Sequence, residues 1–404
     1  MLQLRASSEP LLPNLKSLTF TDTPEDIVPF IPLFLSTRTT SIDLGFEPDF
    51  PEVVAASVVT TIPTLCPNLQ RIGLHSMPET PMITAAISEM FLAINRNILQ
   101  QLDVHLPLTG ETNELICKLS GLRKLRLTID RPGSLPTLVL PNLVELNVDY
   151  GHDYDHDHGW LQGFRGATLG KLATVGFYCS SRSIGDFLEA FEGVALTTSI
   201  PATLSEFKFC TIHAWRPNYR SLLPFRQLKE LVVTFSCSYG CSSTIDDDIM
   251  TEMARAMPKL ELLRFGSLPC KTPAGVTVKG LAALAYYCPR LSDLCVHFQV
   301  VGLDPSEIPQ VAPGDEPTSL REDCVLACLR VGYICVPEES TLMIALTLLR
   351  IFPRLDKIVY NNKGWGKVAH AIKVSEKLVD HSSKKHSFDV ARNFFDDTPF
   401  RSYT

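Results

Sequence analysis

The segment Gly151-His152-Asp153-Tyr154-Asp155-His156-Asp157-His158-Gly159 holds the densest set of ligand-type side chains in the chain. Imidazoles at His152, His156 and His158, interleaved with carboxylates, are donors that suit Zn²⁺ or another divalent ion. No second ligand cluster stands elsewhere at a readable spacing. The plainer reading is therefore a solvated polar loop between two glycines, with adventitious metal binding at most. The expected cofactor is none. A metal-dependent or other enzyme using loop 152–158 is kept as the alternative function.

The twelve cysteines are the next candidates. Cys237 and Cys241 lie four apart, as do Cys324 and Cys328, but neither pair has a matching C-x-x-C partner, so a structural zinc site is not expected. Cys66 and Cys288 take the place that Leu12, Met257 and Phe352 hold in equivalent segments, and such interchange is what core filling looks like. Small buried thiols in a reducing compartment follow, cytoplasmic or nuclear. No nucleophile elbow, P-loop, dinucleotide glycine motif or H-E-x-x-H occurs. His75, His105, His213 and His297 recur at one phase of a repeat and are expected on a surface. The chain is expected to be no enzyme.

That repeat is what must position everything else. Pro-x-Leu-x-x-(Leu/Ile) starts at Pro13, Pro67, Pro141, Pro258, Pro289 and Pro353, with an apolar residue two further on at Phe20, Leu74, Val148, Phe265, Val296 and Tyr360. The register continues without proline at Leu99-x-x-Leu102-x-Val104, Leu122-x-x-Leu125-x-Leu127, Leu172-x-x-Val175-x-Phe177, Leu204-x-x-Phe207-x-Phe209 and Leu228-x-x-Leu231-x-Val233. Ile42-x-Leu44 is a weaker copy, and Leu326-x-x-Leu329-x-Val331 a degenerate one. Most steps run about 21–32 residues, the span of a leucine-rich unit carrying a helix.

Alternating L-x-L gives a short strand with one buried face. Proline ahead of it stops the incoming helix. Helical stripes are expected at Ile27, Phe30, Ile31 and Phe34; at Val53, Val54, Ser57, Val58 and Thr61; and at Ile83, Ala86, Ile87, Met90 and Phe91. Others are Ile184, Phe187, Leu188 and Phe191 behind Ser183 as N-cap; Ile249, Met253, Ala256 and Met257 behind Asp246 to Asp248; Leu281, Leu284 and Ala285; and Leu342, Ala345, Leu346 and Leu349. The expected fold is α/β: a solenoid of about 12–13 irregular strand–helix units with a parallel sheet on its concave face. It should span 1–361, with loop insertions near 151–160 and 302–322. A helical cap or tail follows at 362–404, where Val368, Ile372, Val379, Val390, Phe394 and Phe395 suggest two short helices.

Strand residues between the buried positions must face the other way. They are Arg71, His75, Asp103, His105, Lys124, Arg126, Glu145, Asn147, Glu206, Lys208, Arg264, Asp293 and His297, and they form the expected binding surface. Their mixed signs suit a protein partner. The alternative is an ordinary solvated face. A net charge of −7 excludes a nucleic-acid footprint of the usual kind. No apolar run is long enough to span a membrane, Met1 to Arg5 opens no signal peptide, and no Asn is followed by x-Ser/Thr. Pro305 to Pro317 reads as an exposed loop or a partner-docking peptide.

The P-x-L-x-x-L-x-(L/V/F) phrase, its uneven spacing and the Cys-Pro or Met-Pro before it resemble leucine-rich-repeat proteins over residues 11–361. The irregular repeats of F-box proteins, especially the expanded fungal families, are the most similar. The resemblance implies a non-catalytic protein–protein interaction module, the substrate-recognition part of a ubiquitin-ligase receptor. In that family an F-box helix set joins the ligase through an adaptor. Here only about ten residues, polar after Leu4, precede the first repeat, and they lack the apolar period of a docked helix. Adaptor binding is therefore expected only if an F-box lies upstream.

Overall fold

The computed structural model describes residues 10–23, 27–46, 50–77, 80–105, 110–129, 139–150, 169–179, 200–211, 219–235, 245–266, 275–299, 324–331, 336–337, 340–360 and 363–381. The chain divides into two compact units, Met1–Phe235 and Ser236–Thr404. Each L-x-L phrase forms a strand. In the first unit these are β1 Ser17–Thr23, β2 Ser41–Phe46, β3 Arg71–His75, β4 Gln101–His105, β5 Lys124–Ile129, β6 Glu145–Tyr150, β7 Thr174–Cys179, β8 Glu206–Thr211 and β9 Glu230–Phe235. Its helices are α1 Glu52–Leu65, α2 Pro81–Ala93, α3 Gly110–Cys117 and α4 Ile200–Thr203, with 3-10 turns at Val28–Leu33 and Tyr219–Leu222. The second unit carries α5 Asp247–Ala256, β10 Leu262–Phe265, α6 Val278–Tyr287, β11 Asp293–Cys295, β12 Cys328–Arg330, α7 Thr341–Ile351, β13 Lys357–Val359 and α8 Lys363–His381.

Within each unit, consecutive strands pair in parallel and in chain order, β1 to β9 and β10 to β13. The sheets are open. The register aligns the repeat's own phases. Ile42, Ile72, Leu102, Leu125, Leu146, Val175, Phe207 and Leu231 are partners strand by strand, and so are Leu263, Leu294, Leu329 and Ile358. All of these are buried. The degenerate copy near Leu326 is therefore a true rung, with Leu326, Leu329 and Val331 in the core. Parallel neighbours need crossovers, and successive helices lie side by side: α1 with α2 and α2 with α3, then α5 through α8 in order. Their buried apolar sides cover the apolar face of the strands, since both lose their water together.

The proline of the repeat acts through its predecessor. α1, α5, α6 and α7 end at Cys66, Met257, Cys288 and Phe352, whose φ/ψ are −124/65°, −122/61°, −115/69° and −123/79°. Each cap amide still donates four residues back, and each is followed by proline, which disfavours the helical region for the residue before it. The amides of Leu69, Leu260, Leu291 and Leu355 then donate to those cap carbonyls at 3.0–3.2 Å. This tight turn drops the leucine into the core and aims the chain into the next strand. The residue after proline adds a tether: Asn68 and Asn142 donate to the carbonyls of Thr37 and Ser120 on the preceding rung, both at 2.9 Å.

Four expected helical stripes differ from what forms. Val28–Leu33 is a 3-10 turn because Pro29 and Pro32 cannot donate; Val28 and Ile31 are buried while Ile27 and Phe30 are exposed. α1 buries Ala55, Ala56, Val58, Val59, Ile62 and Pro63 and turns Val53 outward. α7 buries Ile344, Ala345, Thr347, Leu348 and Ile351, one step round from the expected face. α2 buries the expected set, Ile83, Ala86, Ile87, Met90 and Phe91. α6 buries Leu281, Leu284 and Ala285. α5 buries Met250, Met253 and Ala254 behind the N-cap Asp246 rather than Ile249 and Ala256. The stripe behind Ser183, loops 151–160 and 302–322, and the second C-terminal helix lie outside the described residues.

Candidate binding face

Strand pleating leaves the second set of side chains on the face away from the helices. On the first unit this open face is a ladder of matched and opposed charges. Lys124 and Glu145 are register partners, and Lys124 Nζ lies 2.6 Å from Glu145 Oε2. Asn147 donates to Glu145 Oε1 at 3.0 Å and leans over Gly176, its register partner, where a Cβ would strike Asn147 Oδ1. Arg126 reaches toward Asp149 at 4.0 Å. Glu206 and Glu230 face each other directly. Lys208 settles that repulsion, with Nζ 3.1 Å from Glu206 and 3.5 Å from Glu230. Burial pushes the Lys208 ammonium down, but hydrogen bonds and charge from the two carboxylates outweigh it and hold its pKa above the usual lysine value.

His75 lies across two rungs. Its Nε2 is 2.9 Å from Asp43 Oδ1, and its Nδ1 is 4.0 Å from Asp103 Oδ1. The ring crosses Gly73, where an added Cβ would sit 2.6 Å from Asp43 Oδ1 and 2.9 Å from His75 Nε2. The glycine is what lets the imidazole lie flat on the sheet. Arg71 is exposed at the head of β3. His105 ends β4, and its side chain lies outside the described residues.

In the second unit Asp293 sits between two arginines. Arg330 donates Nε and Nη2 to it at 3.0–3.3 Å, and Arg264 donates Nη2 at 3.4 Å. Burial pushes the Asp293 carboxyl up; the hydrogen bonds and charges of Arg330 and Arg264 outweigh this and hold it below the usual carboxylate value. His297 lies past β11 and is half-buried, with Nε2 buried and unpartnered among the described residues; burial pushes its pKa down. It sits deeper than the fully exposed position its repeat phase suggests.

The expected surface residues are thus brought together as local pairs: Lys124 with Glu145, Glu145 with Asn147, Lys208 with Glu206, His75 with Asp103, and Arg264 with Asp293. Asp43, Asp149, Glu230 and Arg330 join them and were not among the expected set. Each occupies the same outward phase, so the repeat itself held that signal. His152, His156 and His158 lie outside the described residues. Among the described residues, no group of three or more His, Cys, Asp or Glu is placed to hold a metal ion. Cys66, Cys117, Cys210, Cys288, Cys295, Cys324 and Cys328 are free. Burial pushes Cys66 up to about 11 and Cys288 up to about 12, as core thiols require. No described helix is long and apolar enough to cross a membrane.

No protein-family model matches this chain, and no curated protein matches it.

Proposed function

We propose that this chain is a leucine-rich-repeat solenoid acting as a non-catalytic protein-binding module, the substrate-recognition part of an F-box-like ubiquitin-ligase receptor in the cytoplasm or nucleus. The observation that carries the binding reading is the open face of the first unit. Its strands present Arg71, Lys124, Arg126 and Lys208 beside Asp43, Asp103, Glu145, Asp149, Glu206 and Glu230 on a hydrogen-bonded parallel frame. Interleaved signs on a rigid surface give register and partner choice more than raw affinity. They fit a folded protein better than a polyanion. The ligase role rests on the repeat phrase and its resemblance to F-box proteins, and the adaptor joins only through an F-box.

The test is charge reversal at Lys124 and Arg126 together, both exposed, followed by affinity capture and mass spectrometry. Loss of a specific partner with an unchanged melting curve is the expected result. Full recovery of every specific partner would remove this face from the binding role.

A further inference from the structure

Resting on the binding-module reading above, we infer that the open face of β10–β13 docks an acidic polypeptide segment through Arg264, Arg330 and Lys357. These three cations stand on strands β10, β12 and β13, and the outward strand positions there carry one carboxylate, Asp293. That carboxylate is already shared between Arg264 and Arg330. It holds both guanidinium groups in place and cancels only one of their charges. Arg264 Nε is buried with no hydrogen-bond partner among the described residues, an uncommon and costly state for a charged donor. Lys357 is exposed one strand from Cys328, its register partner. No described carboxylate pairs with it.

The local excess of positive charge stands out because the whole chain carries −7. Geometry favours a peptide over a nucleic acid. Four strands at a spacing of about 4.8 Å span about 14 Å, and an extended peptide repeats a side chain on one face every ~7 Å. The cations stand on strands about 10 and 5 Å apart, with Lys357 two residues out of the Arg264–Cys295–Arg330–Val359 row, so successive carboxylates of a short acidic stretch can reach all three without a fixed alternation. Asp293 repels any anion, so an occupant is favoured that brings donors as well as carboxylates, and a peptide backbone supplies N–H groups that a phosphate backbone lacks. Nucleic-acid affinity also needs many phosphate contacts, more than three cations supply.

The experiment uses the full chain and fluorescein-labelled oligoglutamate at low salt, with oligoglutamine and labelled single-stranded oligothymidylate as comparators. Oligoglutamate is expected to bind and to weaken as salt rises, while oligoglutamine does not bind. Lys357→Glu should weaken binding about fivefold, the scale of one exposed ion pair, without moving the melting temperature. Arg264→Gln should weaken it further. Absence of oligoglutamate binding, insensitivity to Lys357→Glu, or tighter binding of the oligothymidylate would overturn the inference. If oligoglutamate fails while a partner is still captured through Lys124 and Arg126, only this inference falls. If both fail, the binding-module reading falls with it.

Discussion

The open faces of the two units share one backbone pattern and carry different charge balances. In the first, most charges find an opposite neighbour across the strands, as Lys124 finds Glu145 and Lys208 finds two glutamates. In the second, two arginines share a single aspartate and Lys357 stands beside them. Inward residues are held to a narrow set by packing: Leu, Ile, Val and Phe recur at the same register positions throughout. Outward residues are held only by their neighbours and by whatever they meet. Fold is therefore written in one half of each strand, and the proposed recognition falls to the other.

The inward half should be the same in both units, and the largest effects test that. Leu146, between Leu125 and Val175, and Leu294, between Leu263 and Leu329, are both fully buried. We expect Leu146→Ala and Leu294→Ala each to cost about 2–5 kcal/mol. In stacked repeats each rung leans on its neighbours, so amide hydrogen exchange should quicken first around the altered rung. A cost below about 1 kcal/mol at either site would show that its unit lacks the packed core described here.

These inward positions were legible in the sequence because period two and the proline phrase agree, and agreement across levels is a strong signal. Leu69, Leu99, Leu125, Leu231 and Leu263 all lie where the phrase places them. The helical stripes were less legible. In α1, Val53, Val54, Val58, Val59 and Ile62 are apolar on several sides, so pattern alone does not choose a face, and the small Ala55 and Ala56 turn inward instead. The pairs of the outward face needed register. Asp43, Asp149, Glu230 and Arg330 show their phase in the sequence, but their partners sit on other rungs some thirty residues away. Nothing in a single chain announces which carboxylate Arg330 will meet.

Links between rungs differ in depth, and the next effects follow that difference. In the second unit Asp247 of α5 accepts from Thr277 N at 2.7 Å, Thr277 Oγ1 at 2.6 Å and Gly280 N at 2.9 Å, which ties α5 to the start of α6. It leaves no room for a Cβ at Gly280, which would lie 2.7 Å from Asp247 Oδ1. Asp247→Ala strands these part-buried donors and should cost about 1–3 kcal/mol in urea unfolding. Asp247→Asn keeps one acceptor oxygen and should cost less. The exposed tether Asn68 in the first unit should cost under about 1 kcal/mol when changed to alanine, because water replaces it. Equal costs at the two sites would contradict the depth argument.

Gly73→Ala probes the outward half without touching the core. The clashing atoms, Asp43 Oδ1 and His75 Nε2, are ends of side chains that can move. Alanine gains strand propensity over glycine and loses one partly exposed pair. The two terms nearly cancel, so stability should change by less than about 1 kcal/mol. The NMR signals of the His75 ring should shift clearly all the same. A large loss of stability would mean that the histidine bridge holds the fold rather than shaping its surface.

The smallest effect separates the two faces by pH. Asp293 is held below the ordinary carboxylate value because its two arginines outweigh its burial. A carboxyl depressed by folding binds fewer protons in the folded chain than in the unfolded one. Its contribution is therefore full above the unfolded value of about 3.9 and is lost as pH falls through the folded value. Lys208 is held above the ordinary lysine value by Glu206 and Glu230. Its contribution is full below about 10.4 and is lost as pH rises through the folded value. Side chains in both clusters are partly exposed, so each contribution should stay below about 1 kcal/mol. The stability difference between the parent chain and Asp293→Asn should thus be flat from neutrality into alkali and shrink in acid, whereas that for Lys208→Met should also fade in alkali, where the ammonium loses its proton. If the Lys208→Met difference did not fade in alkali, or the Asp293→Asn difference did, that cluster would not hold its charges as described.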